Sequence, residues 1–122
     1  MALDLVRIDH VQITVAKEDV EPVTRFYELL GLRPIPKPNP RPGAWFELGA
    51  LQLHIGVESV ERAANEASKR HVCLLVKDVA AAEETLRSAG VAILADADPV
   101  PGWKRFYVRD PGGNRVEIAE ST

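Results

Sequence analysis

The sequence predicts an α+β domain built from two copies of one βαβββ module. Three observations carry this. A strand opening on His-Val occurs twice, at His10-Val11 and at His71-Val72. Each is followed by an amphipathic stretch that stops at a glycine, Gly31 or Gly90, where the chain can take the left-handed turn that ends a helix. Each copy then runs through a proline-containing loop into a hairpin, and His54 in the first hairpin answers Glu117 in the second.

Ile8 to Val15 alternates and is rich in β-branched residues, so it reads as a strand. Val11, Ile13 and Val15 take one face; His10, Gln12 and Thr14 take the other. A helix is expected from about Val20 to Leu30, with Pro22 in its first turn and an apolar stripe of Val23, Phe26, Leu29 and Leu30. The proline-dense stretch from Pro34 to Pro42 excludes a central strand or a helix and predicts an exposed, semi-rigid loop or edge segment. Ala44 to Leu48 and Leu51 to Val57 form a hairpin about Gly49-Ala50. In its second strand Leu51, Leu53, Ile55 and Val57 share one face, and Gln52 and His54 the other.

Glu58 to Arg70 is a charged connector with room for a short helix. Arg70 to Val76 is a strand with His71, Cys73 and Leu75 on one side. Asp78 is a good N-cap for a helix from Val79 to Ala89. Val91 to Leu94 is expected to be a short strand, and Ala95 to Gly102 a loop holding Pro99 and Pro101. The chain closes on a strand, the turn Asp110-Pro111-Gly112-Gly113-Asn114, and a strand that carries Glu117 between apolar neighbours. These elements make one domain over residues 6–119, with modules at about 6–57 and 70–119.

A chain of 122 residues can bury a core without disulfides or structural metal. The formal net charge of −3 gives no basic footprint for nucleic acid and argues against anionic membrane surfaces. Cys73 is the single cysteine, so neither an intrachain disulfide nor a thiolate metal cluster is available. With no signal peptide and no membrane-spanning run, a soluble cytoplasmic protein is expected.

One helix per module covers one face of its strands, which leaves a concave inner face. Strand parity places His10, His54, His71 and Glu117 on it. Imidazole and carboxylate are the usual ligands of Zn, Fe, Ni, Co and Mn. Two histidines and a carboxylate make a facial triad, and a third histidine gives four ligands with one or two positions left for substrate. His54 also reads as a rim or substrate-contacting residue. Around these, Gln12 and Trp45 are candidate substrate contacts, with Trp45 equally readable as an aromatic packed on the sheet. Tyr107 and Arg105 share the parity of Glu117; Tyr107 could donate to a substrate oxygen, and Arg105, Lys104 or Arg109 could bind a carboxylate or phosphate. For Lys104 and Arg109 a solvated sheet edge is the simpler reading. Cys73 reads as a small buried side chain.

The sequence resembles the vicinal oxygen chelate superfamily of glyoxalases, fosfomycin-resistance proteins, epimerases, extradiol dioxygenases and bleomycin-resistance proteins. The matching residues are Ile8 to Val11, Phe26 to Leu32, Phe46 to Gly49, Arg70 to Val72 and, most specifically, Asp110 to Glu117. The resemblance implies a glyoxalase-like half-barrel and makes His10, His54, His71 and Glu117 the metal positions, with Glu117 also catalytic. It implies a divalent ion (Zn, Ni, Co, Mn or Fe) that chelates adjacent oxygens of a small-molecule substrate, in a lyase, isomerase or conjugating transferase. Glyoxalase- and epimerase-like members commonly carry glutamate where this chain has His54. A non-catalytic binding protein of the bleomycin-resistance type is the other reading, although such members usually lack the metal set. The resemblance further implies a homodimer whose sites are shared between subunits.

Overall fold

The computed structural model describes residues 2–121. Its chain divides into two compact units, one running to Glu61 and the other starting at Arg62. The α+β class and the two-module build expected from the sequence appear as two small mixed sheets with their helices.

The first unit contains β1 (His10–Val15), α1 (Val20–Leu30), β2 (Arg33–Ile35), β3 (Ala44–Leu48) and β4 (Leu51–Val57). The sheet order is β1-β4-β3-β2, with β1 parallel to β4 and the rest antiparallel. Pro34 lies in β2, at the sheet edge, where its missing N–H costs no ladder bond. Helix α1 buries Val23, Phe26 and Tyr27. The Tyr27 ring lies 6.2 Å from that of Phe46, so the helix covers the face that carries Phe46. The expected stripe shifts here: Tyr27 is buried and Leu29 is 52% exposed. Residues 23, 26 and 27 follow the i, i+3, i+4 spacing of a helix face, and position 29 rotates away from it.

The second unit contains α2 (Arg62–Glu66), β5 (His71–Val76), α3 (Val79–Ser88), β6 (Arg105–Arg109) and β7 (Arg115–Glu120), in the sheet order β5-β7-β6. Strand β5 runs parallel to β7, and β6 antiparallel to it, which repeats the β1-β4-β3 arrangement. Asp78 caps α3 by accepting from Ala81 N–H at 3.0 Å. Both long helices end in the same motif. In α1 Leu32 N–H bonds Tyr27 C=O and Gly31 N–H bonds Glu28 C=O; in α3 Val91 bonds Leu86 and Gly90 bonds Arg87.

The expected strand at Val91 to Leu94 is not formed. Only Leu94 bridges to Tyr107. The chain then bends away because the Asp96 carboxylate accepts from Asp98 N–H and holds the Arg105 guanidinium. The closing turn is organised by Asp110, which is buried and accepts from Gly112 N–H at 2.9 Å and Asn114 N–H at 3.0 Å. Helix α2 is tied to this turn by Asn65, whose amide donates to Gly112 C=O at 2.8 Å. Among the described residues no helix is long and apolar enough to cross a membrane.

Candidate functional site

In the first unit the register pairs Gln12 with His54 and Trp45 with His54, and His10 with Gln52. Cross-strand partners share a face, so His10, Gln12, Trp45, Gln52 and His54 form one polar-aromatic surface. Trp45 and His54 stack with ring centroids 3.8 Å apart and planes within 3°. His10 continues the stack at 4.2 Å from His54. Burial, the neighbouring His10 and, in the opposite sense, Asp9 together leave the His54 pKa below its ordinary value. His54 is therefore a neutral imidazole at neutral pH, with one ring nitrogen, Nε2, set 2.8 Å from the Gln52 side-chain oxygen. His10 sets Nδ1 against the Asp9 carboxylate at 2.9 Å, which leaves its Nε2 lone pair available.

The stack limits what this pair can do together. Lone pairs lie in the ring planes, and the planes of His10 and His54 are only 18° from parallel. An ion in the plane of one ring is displaced from the plane of the other. Shared ligation requires one ring to rotate out of the stack.

In the second unit His71, Cys73, Tyr107 and Glu117 lie on one face, as strand parity predicts. His71 Nε2 lies 3.1 Å from Glu117 Oε1. His71 Nδ1 lies 2.9 Å from the Lys69 carbonyl, which can only accept. A neutral imidazole has one N–H. Both acceptors are thus satisfied together either by a second proton on the ring or by a cation shared by Nε2 and the carboxylate. This donor set fits a divalent ion. Among the described residues no three His, Cys, Asp or Glu side chains cluster closely enough to hold one by themselves.

Glu117 is 4% exposed, and burial acts to raise its pKa. Hydrogen bonds from Trp103 and Cys73, with the charges of Arg105 and His71, outweigh burial and hold it below the ordinary carboxylate value. Trp103 Nε1 donates to Oε2 at 2.8 Å. A carboxyl held low in the fold stabilises it above the unfolded-state pKa, and that contribution is lost as pH falls through the folded value. Trp103→Phe should therefore cost roughly 1–3 kcal/mol at pH 7. Urea titrations across pH should show part of that gap closing below about pH 4; a gap independent of pH would mean that the indole contributes packing alone.

Cys73 is exposed rather than buried as the sequence suggested. Its thiol still faces Glu117 Oε2 at 3.4 Å. Desolvation of the sulfur and the carboxylate beside it push its pKa up to about 11, so it is not a thiolate at neutral pH.

Arg105 is held by Asp96 at 2.8 Å and by the Asp98 carbonyl at 2.9 Å, with Glu117 at 3.6 Å. Arg109 donates to the Gly113 and Asn65 carbonyls, a turn-binding role rather than a solvated edge. Tyr107 is buried and meets His71 edge-on at 5.8 Å. The cation on this face that sequence reasoning missed is Arg115. It is the register partner of His71, its guanidinium lies 3.9 Å from the Tyr107 ring centre, and its buried Nε has no hydrogen-bond partner. Trp103 was also missed, since an indole in a loop carries no periodic signal. Asp9 was missed as well, although its place directly before His10 was a signal for a histidine-orienting carboxylate.

Two tandem modules of this topology define the glyoxalase type of fold. The chain belongs to the Glyoxalase/Bleomycin resistance protein/Dioxygenase superfamily, whose family model matches residues 7–118. It is similar to a glyoxalase family protein from Bacillus anthracis, at 35% identity over 100% of both chains with a TM-score of 0.85. The same fold recurs in a lactoylglutathione lyase from Agrobacterium tumefaciens (19% identity, 97% of this chain and 96% of that one, TM-score 0.72). It recurs also in a fosfomycin resistance protein from Listeria monocytogenes (17% identity, 97% and 93%, TM-score 0.72). No curated protein matches the sequence at a significant level.

Proposed function

We propose that this protein is a divalent-metal-dependent enzyme acting on a small molecule with adjacent oxygens, as a lyase, isomerase or conjugating transferase. The observation that carries the reading is the His71–Glu117 pair, with Nδ1 committed to a carbonyl and Nε2 facing a carboxylate oxygen at 3.1 Å. We assign His10, His71 and Glu117 as ligands, with His54 as a fourth that joins only by leaving its stack. The bound ion supplies Lewis acidity toward the substrate oxygens.

The chain's own residues have distinct tasks in this reading. Trp103 and Cys73 keep Glu117 ionised and aimed, which suits a carboxylate ligand or proton acceptor. Asp9 and the Lys69 carbonyl fix the tautomers of His10 and His71. Gln12 and Trp45 bind and orient substrate beside His10. Family membership supports a homodimeric, cytoplasmic enzyme, and sedimentation or light scattering tests the dimer directly.

The test is elemental analysis of the purified protein with His10→Ala and Glu117→Ala. The wild type should carry close to one divalent ion per chain, and both variants should lose it. If both variants keep wild-type metal content, the assignment is wrong. A metal-free wild type that still binds small molecules would favour the sequestering role of bleomycin-resistance members.

A further inference from the structure

The first unit holds a cavity of about 470 Å³, a volume suited to a small ligand. One side is the Trp45–His54–His10 stack; the other is the proline loop. In that loop Pro36, Pro38 and Pro40 are exposed, while Lys37 and Asn39 between them are half-buried. Prolines fix φ and stiffen the segment, so this alternation holds one side of the loop toward the cavity.

Lys37 knots the loop. Its ammonium donates to the Asn39 carbonyl at 3.0 Å, to the Asn39 side-chain oxygen and to the Arg41 carbonyl. An ammonium has three N–H groups, and all three are used. The loop's exit is fixed as well: a Cβ on Gly43 would fall 2.3 Å from the Ile55 carbonyl oxygen, and its φ is +143°. The wall is therefore preformed, and the Lys37 N–H donors are all used in building it.

Arg41 is the cation whose side-chain donors are left over. It lines the cavity, and among the described residues its side chain has no hydrogen bond or ion pair. The other arginines of this unit differ: Arg7 pairs with Asp9, Arg25 with Glu21 and Arg33 with Glu47. His54 has a ring on each face, so only the end rings of the stack, Trp45 among them, can offer a face; an indole face beside one uncommitted guanidinium selects a flat ring that bears an anion. The guanidinium offers a planar fork that matches a carboxylate.

We propose that this cavity takes a planar aromatic carboxylate, with its ring against Trp45, an end ring of the stack, and its carboxylate on Arg41. The proposal rests on the reading of this face as the substrate side, and it does not need the ion. Calorimetry on chelator-treated protein, with 2-naphthoate and its neutral analogue 2-naphthalenemethanol as probes, tests it. A hydrogen-bonded charge pair predicts a preference of roughly tenfold or more for the acid. Arg41→Ala should abolish the preference while leaving the alcohol's affinity unchanged, Arg41→Lys should retain part of it, and Trp45→Ala should weaken both probes. Equal affinities in the wild type, no binding of either probe, or a preference that survives Arg41→Ala would overturn the proposal. Metal content measured on the same preparations separates the readings. Naphthoate failure with intact metal uptake removes the ligand class alone, and metal failure with intact naphthoate binding removes the ion alone.

Discussion

Glu117→Gln is expected to weaken divalent-ion affinity by at least about a hundredfold, the upper end of what loss of an outer partner costs. The substitution isolates charge from shape. Glutamine keeps the volume of the side chain and one carbonyl oxygen to accept from Trp103, which sits 2.8 Å from the present carboxylate. Its amide can donate to His71 Nε2, now 3.1 Å from a carboxylate oxygen. The neutral imidazole is then satisfied at both nitrogens with no cation present. Arg105 keeps Asp96 as its partner, so no buried charge is left alone. The fold should therefore survive, at a cost of roughly 1–3 kcal/mol for the lost charge-assisted bonds. Competition with a chromophoric chelator measures the affinity, and thermal unfolding of the metal-free protein checks the fold. Affinity within twofold of wild type, in a variant that is fully folded, would remove Glu117 from the ligand set.

Gly113→Ala should be a strongly destabilising methyl addition in the closing turn. Gly113 has φ of +90°, where L side chains are rarely found, and an added Cβ would lie 2.7 Å from the Arg62 carbonyl oxygen and 3.1 Å from Asn65 Cβ. Backbone strain of about 1–2 kcal/mol adds to an overpacking cost of about 1–3 kcal/mol. The melting temperature should fall by roughly 8–15 °C. Gly31→Ala is the control. Its φ is also positive, at +103°, and nothing lies within 4 Å of the added atom. It should show the conformational cost alone, so the difference between the two variants reads the packing of α2 on the turn. Equal losses in the two variants would mean that this packing contributes nothing. The consequence reaches the site, because the turn sets the register in which β7 presents Glu117 opposite Tyr107.

Much of this is legible in the sequence. The helix from Val20 to Leu30 and the hairpin of Ala44–Leu48 and Leu51–Val57 have the limits that the sequence implied. Helix periodicity, an early proline and a terminal glycine are local signals, and strand alternation has a period of two, so the face of each residue follows from counting. That is why His10, Gln12, Trp45 and His54 share one face and His71, Tyr107 and Glu117 another, as expected. Chain order alone also ruled out a disulfide framework, since one cysteine cannot pair with itself.

Other features were decided only by the tertiary structure, because they depend on distances between residues that no local pattern relates. The bond from Trp103 to Glu117 joins a loop to a strand 14 residues on. The pairing of Asp96 with Arg105, just past the stretch from Val91 to Leu94 where a strand was expected and only Leu94 bridges, occupies the guanidinium assigned to substrate. The stacking of His10, His54 and Trp45 is a matter of ring orientation, which parity leaves open. Alternation thus determined which side chains face each sheet surface. Through-space packing and hydrogen bonding determined which of them are already engaged, as Arg105 is by Asp96 and Arg115 by the Tyr107 ring.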